Sequence, residues 1–182
     1  MKKLIIACAV AVLGIAVNAA TVNWSATSIA EYGKTTNVTS SLGYIGVLIN
    51  AGITDRDTML TALGKGDTSL VAGATIASSQ TTVGTAAAGM AYVTGAGSFG
   101  DGETINAYAL IFDADSVASA EHVFATSELA SATGAKGQAA TFAFGALTGT
   151  QDAANWQAIP EPTSGMLLLV GCALMALKRK RA

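Results

Sequence analysis

Thiols, imidazoles and cations are scarce in this 182-residue chain, and each shortage removes a class of chemistry. The two cysteines, Cys8 and Cys172, both fall in apolar runs near the termini, so residues 20–159 contain no thiol. Disulfides, thiolate metal sites and cysteine nucleophiles are thereby excluded from that region. His122 is the single histidine, so any Ser-His-Asp triad would have to use it, and no Gly-x-Ser-x-Gly elbow lies near it. Between Glu31 and Glu161 stand all twelve acidic residues but only four basic ones, Lys34, Arg56, Lys65 and Lys136, for a net charge of −8. Such a surface repels phosphate backbones, which argues against a nucleic-acid partner.

The apolar and basic residues concentrate elsewhere. Lys2 and Lys3 precede a 14-residue apolar run over residues 4–17, which closes on Val17-Asn18-Ala19 with small residues where a signal peptidase inspects the chain. The run falls short of the roughly 20 apolar residues a membrane span needs. Residues 1–19 are therefore expected to be a signal peptide handled by the Sec translocon and signal peptidase, with cleavage after Ala19. Ile5-Ile6-Ala7-Cys8 loosely imitates a lipobox, but residues 4–7 are too few for the apolar part of a signal.

Near the other end, Pro160-Glu161-Pro162 is followed by Thr163-Ser164-Gly165 and an unbroken apolar run over residues 166–177 that includes Met166, Leu167, Leu168, Leu169, Val170, Leu174 and Leu177. Lys178, Arg179, Lys180 and Arg181 come next. The paired prolines set this segment apart, since neither can continue a strand ladder. As a helix the run is about 18 Å long. It is expected to span by tilting or local thinning, with the four cations held in the cytoplasm as a stop.

This three-part order resembles the PEP-CTERM sorting signal, and the resemblance covers residues 160–182 only. It implies an exosortase that processes the tail, a transient inner-membrane anchor, and delivery to the surface or exopolysaccharide matrix of a Gram-negative bacterium. It implies nothing about the chemistry of the central region.

Residues 20–159 are expected to form one mainly β domain, a single β-sandwich of jelly-roll-like type with one short α-helix, flanked by the signal helix and the C-terminal transmembrane helix. Residues 44–49 place Ile45, Val47 and Ile49 on one face and end at the turn cluster Asn50-Ala51-Gly52. Residues 105–112 are apolar on both faces, with Tyr108, Leu110 and Phe112 opposite Ala107, Ala109 and Ile111, as befits a central strand covered on both sides. Further strands are expected over residues 22–26, 85–94, 122–126, 139–146 and 154–159. The helix is expected over residues 55–63, with Thr54 as N-cap, Gly64 just past its end, and Met59, Leu60 and Leu63 inward. A single turn is expected over residues 116–121, and a long loop or irregular edge over residues 66–82.

Several constellations invite chemistry. Gly95-Ala96-Gly97-Ser98-Phe99-Gly100 matches the dinucleotide-binding glycine pattern, but Asp101-Gly102-Glu103 follows it where a helix N-terminus would have to stand, so a hairpin connection is expected. Asp101, Asp113 and Asp115 are weak candidates for Ca²⁺, whose ligands are oxygens, although no EF-hand spacing is present. No other metal or cofactor is expected. Trp24 and Trp156 could stack on a sugar or fill the core. The expected function is a non-enzymatic surface or matrix protein. Two alternatives stand beside it: a carbohydrate-binding or adhesin module, which predicts Trp24 or Trp156 exposed on a concave or flat face beside polar groups, and a small secreted hydrolase, which predicts a pocket gathering His122 or paired carboxylates.

Overall fold

The computed structural model describes residues 19–37, 42–79, 91–98, 101–135 and 137–160. Among these the protein is mainly β, with nine strands and two helices. The strands are β1 Ala19–Thr27, β2 Ile45–Asn50, β3 Thr75–Ser79, β4 Ala91–Ser98, β5 Thr104–Phe112, β6 His122–Ala125, β7 Ala130–Thr133, β8 Ala140–Ala146 and β9 Trp156–Ala158. The helices are α1 Arg56–Leu63 and α2 Ser69–Ala74, and two 3-10 turns, Thr148–Gln151 and Ala153–Asn155, precede β9.

Two sheets share one core. The smaller has the order β4-β1-β8, and the larger β3-β2-β5-β6-β9, with β7 also paired to β5. Strand β1 runs antiparallel to β4 but parallel to β8, a pairing foreign to an all-antiparallel jelly roll. Along β1 and β8, buried Val22, Trp24, Ala26, Ala140, Phe142 and Phe144 alternate with more exposed residues, so each strand turns one face inward. These side chains meet Leu48, Ile105, Ala107, Ala109 and Ile111 of the larger sheet in the first apolar cluster.

The opposite face of the larger sheet makes a second cluster, in which Ile45, Val47, Ile49, Tyr108, Leu110 and Phe112 pack beneath Met59 and Leu63 of α1 and Val71 and Ala74 of α2. Strand β5 is therefore covered on both sides as its residues predict. The Tyr108 hydroxyl donates to the carbonyls of Thr54 (3.2 Å) and Asp55 (3.3 Å), tying the start of α1 to β5. Burial, reinforced by the Asp55 charge, pushes the Tyr108 phenol up to about 12, so it remains a donor at ordinary pH.

Several expectations need correction. The N-cap of α1 is Asp55, which accepts from the Thr58 amide at 2.9 Å and the Thr58 hydroxyl at 2.6 Å, while Thr54 is buried. Gly64 remains right-handed at φ −63°, and the left-handed position is Gly66 at φ 76°. There the Gly66 amide reaches the Leu63 carbonyl and the Asp67 amide the Ala62 carbonyl, the paired bonds of a Schellman ending. The stretch expected as a loop or irregular edge holds the unforeseen helix α2 and then β3, which is an edge strand with a register shift against β2, while the turn expected over residues 116–121 is present at 117–119. The small residues of β7 gave no apolar strand pattern, yet it continues the path of β6 beside β5. Between the two, the Thr126 amide donates to the Ala109 carbonyl and its hydroxyl accepts from the Ala109 amide at 3.1 Å, so a side chain completes the ladder where the strand breaks. Gly95 and Gly97 lie within β4, and the chain then crosses from the smaller sheet to β5 in the larger, so the expected hairpin is a crossover. The expected strand over residues 85–94 falls partly outside the described residues.

Two glycines should answer alanine substitution with opposite signs. Gly66→Ala should cost about 1–2 kcal/mol, the penalty for an L residue in the left-handed region. Gly73→Ala, inside α2 with nothing within 4 Å of the added carbon, should stabilise by about 0.5–1 kcal/mol. Urea unfolding of both variants checks the pair, and equal signs would refute the backbone assignment. The Asp55 carboxyl is held below 3.8 first by the Thr58 hydroxyl and then by the Thr58 amide. Its stabilising effect is full above the unfolded value and is lost as pH falls through the lower folded value. Amide exchange at Thr58 should accelerate on acidification below 3.8, beyond its intrinsic pH dependence, and Asp55→Asn should abolish that excess.

Candidate functional site

The single histidine lies in an aromatic cluster at one end of the sandwich, built from elements far apart in sequence. Tyr32 comes from the loop after β1, Tyr44 from the approach to β2, His122 and Phe124 from one face of β6, and Trp156 from β9. The β5–β6 connection supplies Asp113. Antiparallel pairing places Phe124 opposite Trp156 and His122 opposite Ala158.

Asp113 organises the polar part. One carboxylate oxygen accepts from the amides of Glu121 and His122, both at 2.9 Å, and the other lies 2.7 Å from His122 Nδ1. An ionised carboxylate only accepts, so Nδ1 carries the proton. The two side chains are 12% and 21% exposed, which makes this pair far better shielded than the surface pair of Arg56 with Asp57. The Tyr32 ring stacks on the imidazole with centroids 3.8 Å apart and planes at 17°. The Tyr32 amide also donates to the Tyr44 hydroxyl at 3.2 Å. Burial raises the pKa of Tyr44, partly offset by that amide, while Glu31 and Asp113 add to the rise.

Trp156 is 7% exposed, with Tyr32 and Tyr44 edge-on at 5.7 and 6.2 Å and Phe124 tilted at 5.8 Å. Its Nε1 donates to the Thr150 carbonyl at 3.0 Å. Trp24 is wholly buried, edge-on to Phe144 at 5.9 Å. Of the two readings of these tryptophans, core packing describes where they lie: both are buried in the first apolar cluster. Buried Thr150 fastens the loop carrying Tyr32, since its hydroxyl accepts from the Ala30 amide at 2.9 Å and donates to the Leu147 carbonyl at 2.7 Å.

The carboxylates singled out for Ca²⁺ do not converge. Asp113 is turned onto His122 and its flanking amides, Asp115 accepts from the Ser119 hydroxyl at 3.3 Å, and Asp101 lies in the turn before β5. Among the described residues no three His, Cys, Asp or Glu side chains gather as a metal site. Asp113 and His122 have the relation of two triad members, but among the described residues no hydroxyl is hydrogen-bonded to His122, whose recorded polar side-chain contact is with Asp113. This arrangement holds a ring, two amides and a loop in fixed relation.

Of the sorting residues, Ala19 is the first residue of β1, paired with Ser98, and Pro160 follows buried Ile159. Glu161, Pro162, the apolar run 166–177 and the four cations 178–181 lie outside the described residues. Among the described residues no helix is long and apolar enough to cross a membrane.

Sequence offered no route to this cluster. Asp113 and His122 are separated by the β5–β6 connection, and Tyr32 is separated from His122 by four strands and both helices. A tyrosine beside Gly33 in a polar loop carries no local sign that it will cover a histidine.

Asp113→Ala should destabilise the protein by about 1–2 kcal/mol, because one exposed and one part-buried amide and an imidazole lose a charged acceptor together. His122→Ala should cost about half as much, since the amides keep theirs. Urea unfolding followed by tryptophan fluorescence measures both, and equal losses would contradict the central place given to Asp113. Comparison with protein-family models, with curated proteins and with solved structures finds no match to this chain.

Proposed function

We propose that this chain is an exported cell-surface or exopolysaccharide-matrix protein, matured by signal peptidase and an exosortase-type peptidase, and acting by interaction without catalysis. The observation that carries this reading is the order Pro160-Glu161-Pro162, apolar run 166–177 and basic Lys178 to Arg181, paired with the Lys2-Lys3 leader that closes at Ala19. The precursor is held at the inner membrane by its C-terminal transmembrane helix, then passes to the surface of a Gram-negative envelope. In this arrangement the mainly β body is a folded cargo, and its anionic surface keeps it soluble among charged glycans.

Two features of the body agree with that role. Ala19 contributes one residue pair to β1, so cleavage after it leaves the strand from Ala20 onward. At the other end, the Ile159 amide bonds the Glu121 carbonyl at 2.7 Å and its side chain joins the second cluster, so the body closes immediately before the Pro-Glu-Pro tripeptide. The engagement of His122 by Asp113 and Tyr32 supports a structural role for the residue most suited to catalysis.

Replacing Pro160, Glu161 and Pro162 by alanine should leave export and removal of residues 1–19 intact, giving Ala20 as the new N-terminus, while C-terminal trimming in an exosortase-bearing host stops. Pulse labelling with N-terminal sequencing reads both events. Trimming of the altered chain at the normal rate would refute the assignment.

A further inference from the structure

Two adjoining hollows lie beside Phe124. The first, about 360 Å³, is walled by Arg56, Ser127, Asn155 and Gln157. The second, about 370 Å³, is walled by Thr126, Glu128, Thr148 and Phe144. Phe124, Ser127 and Gly149 border both. Gly149 keeps the divide low: a carbon added there would stand 3.2 Å from the Phe124 ring and 3.6 Å from Asn155 Nδ2. Each hollow has the size of a small-ligand site.

The two are chemically unlike. Arg56 stands at the first, and among the described residues its ion pair is with Asp57, 88% exposed and 3.2 Å away, a pairing of little strength. Arg56 Nε is buried with no acceptor among the described residues, so a modest rotation toward an incoming oxygen removes a standing cost. The amides of Asn155 and Gln157 add donors and acceptors nearby, with Asn155 Nδ2 already given to the Gly149 carbonyl. The second hollow is bordered by Ser127, Thr148 and Glu128, a carboxylate that repels an anion and accepts from sugar hydroxyls, while the Thr126 hydroxyl is spent on the Ala109 amide and the Glu128 carbonyl.

From this asymmetry we infer that the paired hollows bind a short acidic saccharide, a uronate ring at Arg56 joined to a neutral sugar beside Glu128. The choice of saccharide rests on the matrix role proposed above; the carboxylate specificity rests on Arg56 alone. A guanidinium takes a carboxylate in a two-pronged grip, and the amide and hydroxyl walls suit ring hydroxyls. The body's negative charge works against dense polyanions, while its long-range part is screened within about 8 Å at physiological salt. Isolated carboxylates in an otherwise neutral chain are the ligand that escapes this repulsion.

The test is calorimetric titration of the full-length chain, in non-ionic detergent, with an aldobiuronate (glucuronate joined to a neutral hexose), digalacturonate, cellobiose and a tetraglutamate peptide. The aldobiuronate should bind most tightly, at least tenfold above cellobiose. Arg56→Gln should lower its affinity at least tenfold, and Gln157→Ala, on the edge strand, at least threefold, which reads the site independently should the first variant misfold. Glu128→Gln should strengthen digalacturonate and weaken the aldobiuronate, whose neutral sugar loses a charged acceptor. No binding at about 10 mM, equal binding of cellobiose, tighter binding of the peptide, or indifference to both Arg56→Gln and Gln157→Ala would each overturn the inference. These titrations do not depend on export or trimming, so their failure is distinguishable from failure of the sorting assignment.

Discussion

Strand β5 needs cover on both faces, and most of the architecture follows from that need. Residues 107 to 112 are all fully buried, alternating small and branched side chains toward one layer with large ones toward the other. A single sheet against a single partner would leave one of those faces in water, at about 1.5–3 kcal/mol for each large side chain exposed. The smaller sheet closes the side of Ala107, Ala109 and Ile111, and the two helices close the side of Tyr108, Leu110 and Phe112. The alanines on the first side allow the sheets to approach around Trp24 and Phe142, whose bulk fills what the alanines leave.

Cover of this kind brings distant segments together but does not orient them, and polar groups with few alternatives do so here. Tyr108 pins the start of α1 to the middle of β5 through two carbonyls. Thr126 supplies a hydroxyl where β6 breaks from its neighbour. Thr150 and Asp113 both hold the end of the sandwich where the aromatic cluster lies, one fastening the loop after β1 and the other fixing the approach to β6. Each is a side chain satisfying backbone groups at a place where the ladder cannot, which is how main-chain atoms avoid being orphaned in an irregular sandwich.

The aromatic cluster and the paired hollows are two sides of one junction. Trp156 and Phe124 belong to both: they carry Tyr32, Tyr44 and His122 toward the loop end, and they line the first hollow near Arg56. Locking the ring of His122 therefore also steadies the floor beside which the hollows lie. A rigid floor reduces the ordering cost of any ligand that binds there.

Periodicity in the sequence determined the central strand, both faces of β5 and the inward edge of α1, because alternating or helical spacing of apolar residues is a local property. Charge segregation and the order of segments at residues 160–182 were equally local, and they carry the address proposed for the chain. Tertiary structure alone decided the rest. Strand β7, made of Ala, Ser and Thr, exists because β5 offers an edge, and the parallel pairing of β1 with β8 depends on where a crossover lands. Tyr32 meets His122, and Arg56 and Gln157 come to line one hollow, across separations at which sequence spacing holds no information, since such approaches are set by which elements the two apolar clusters pull together.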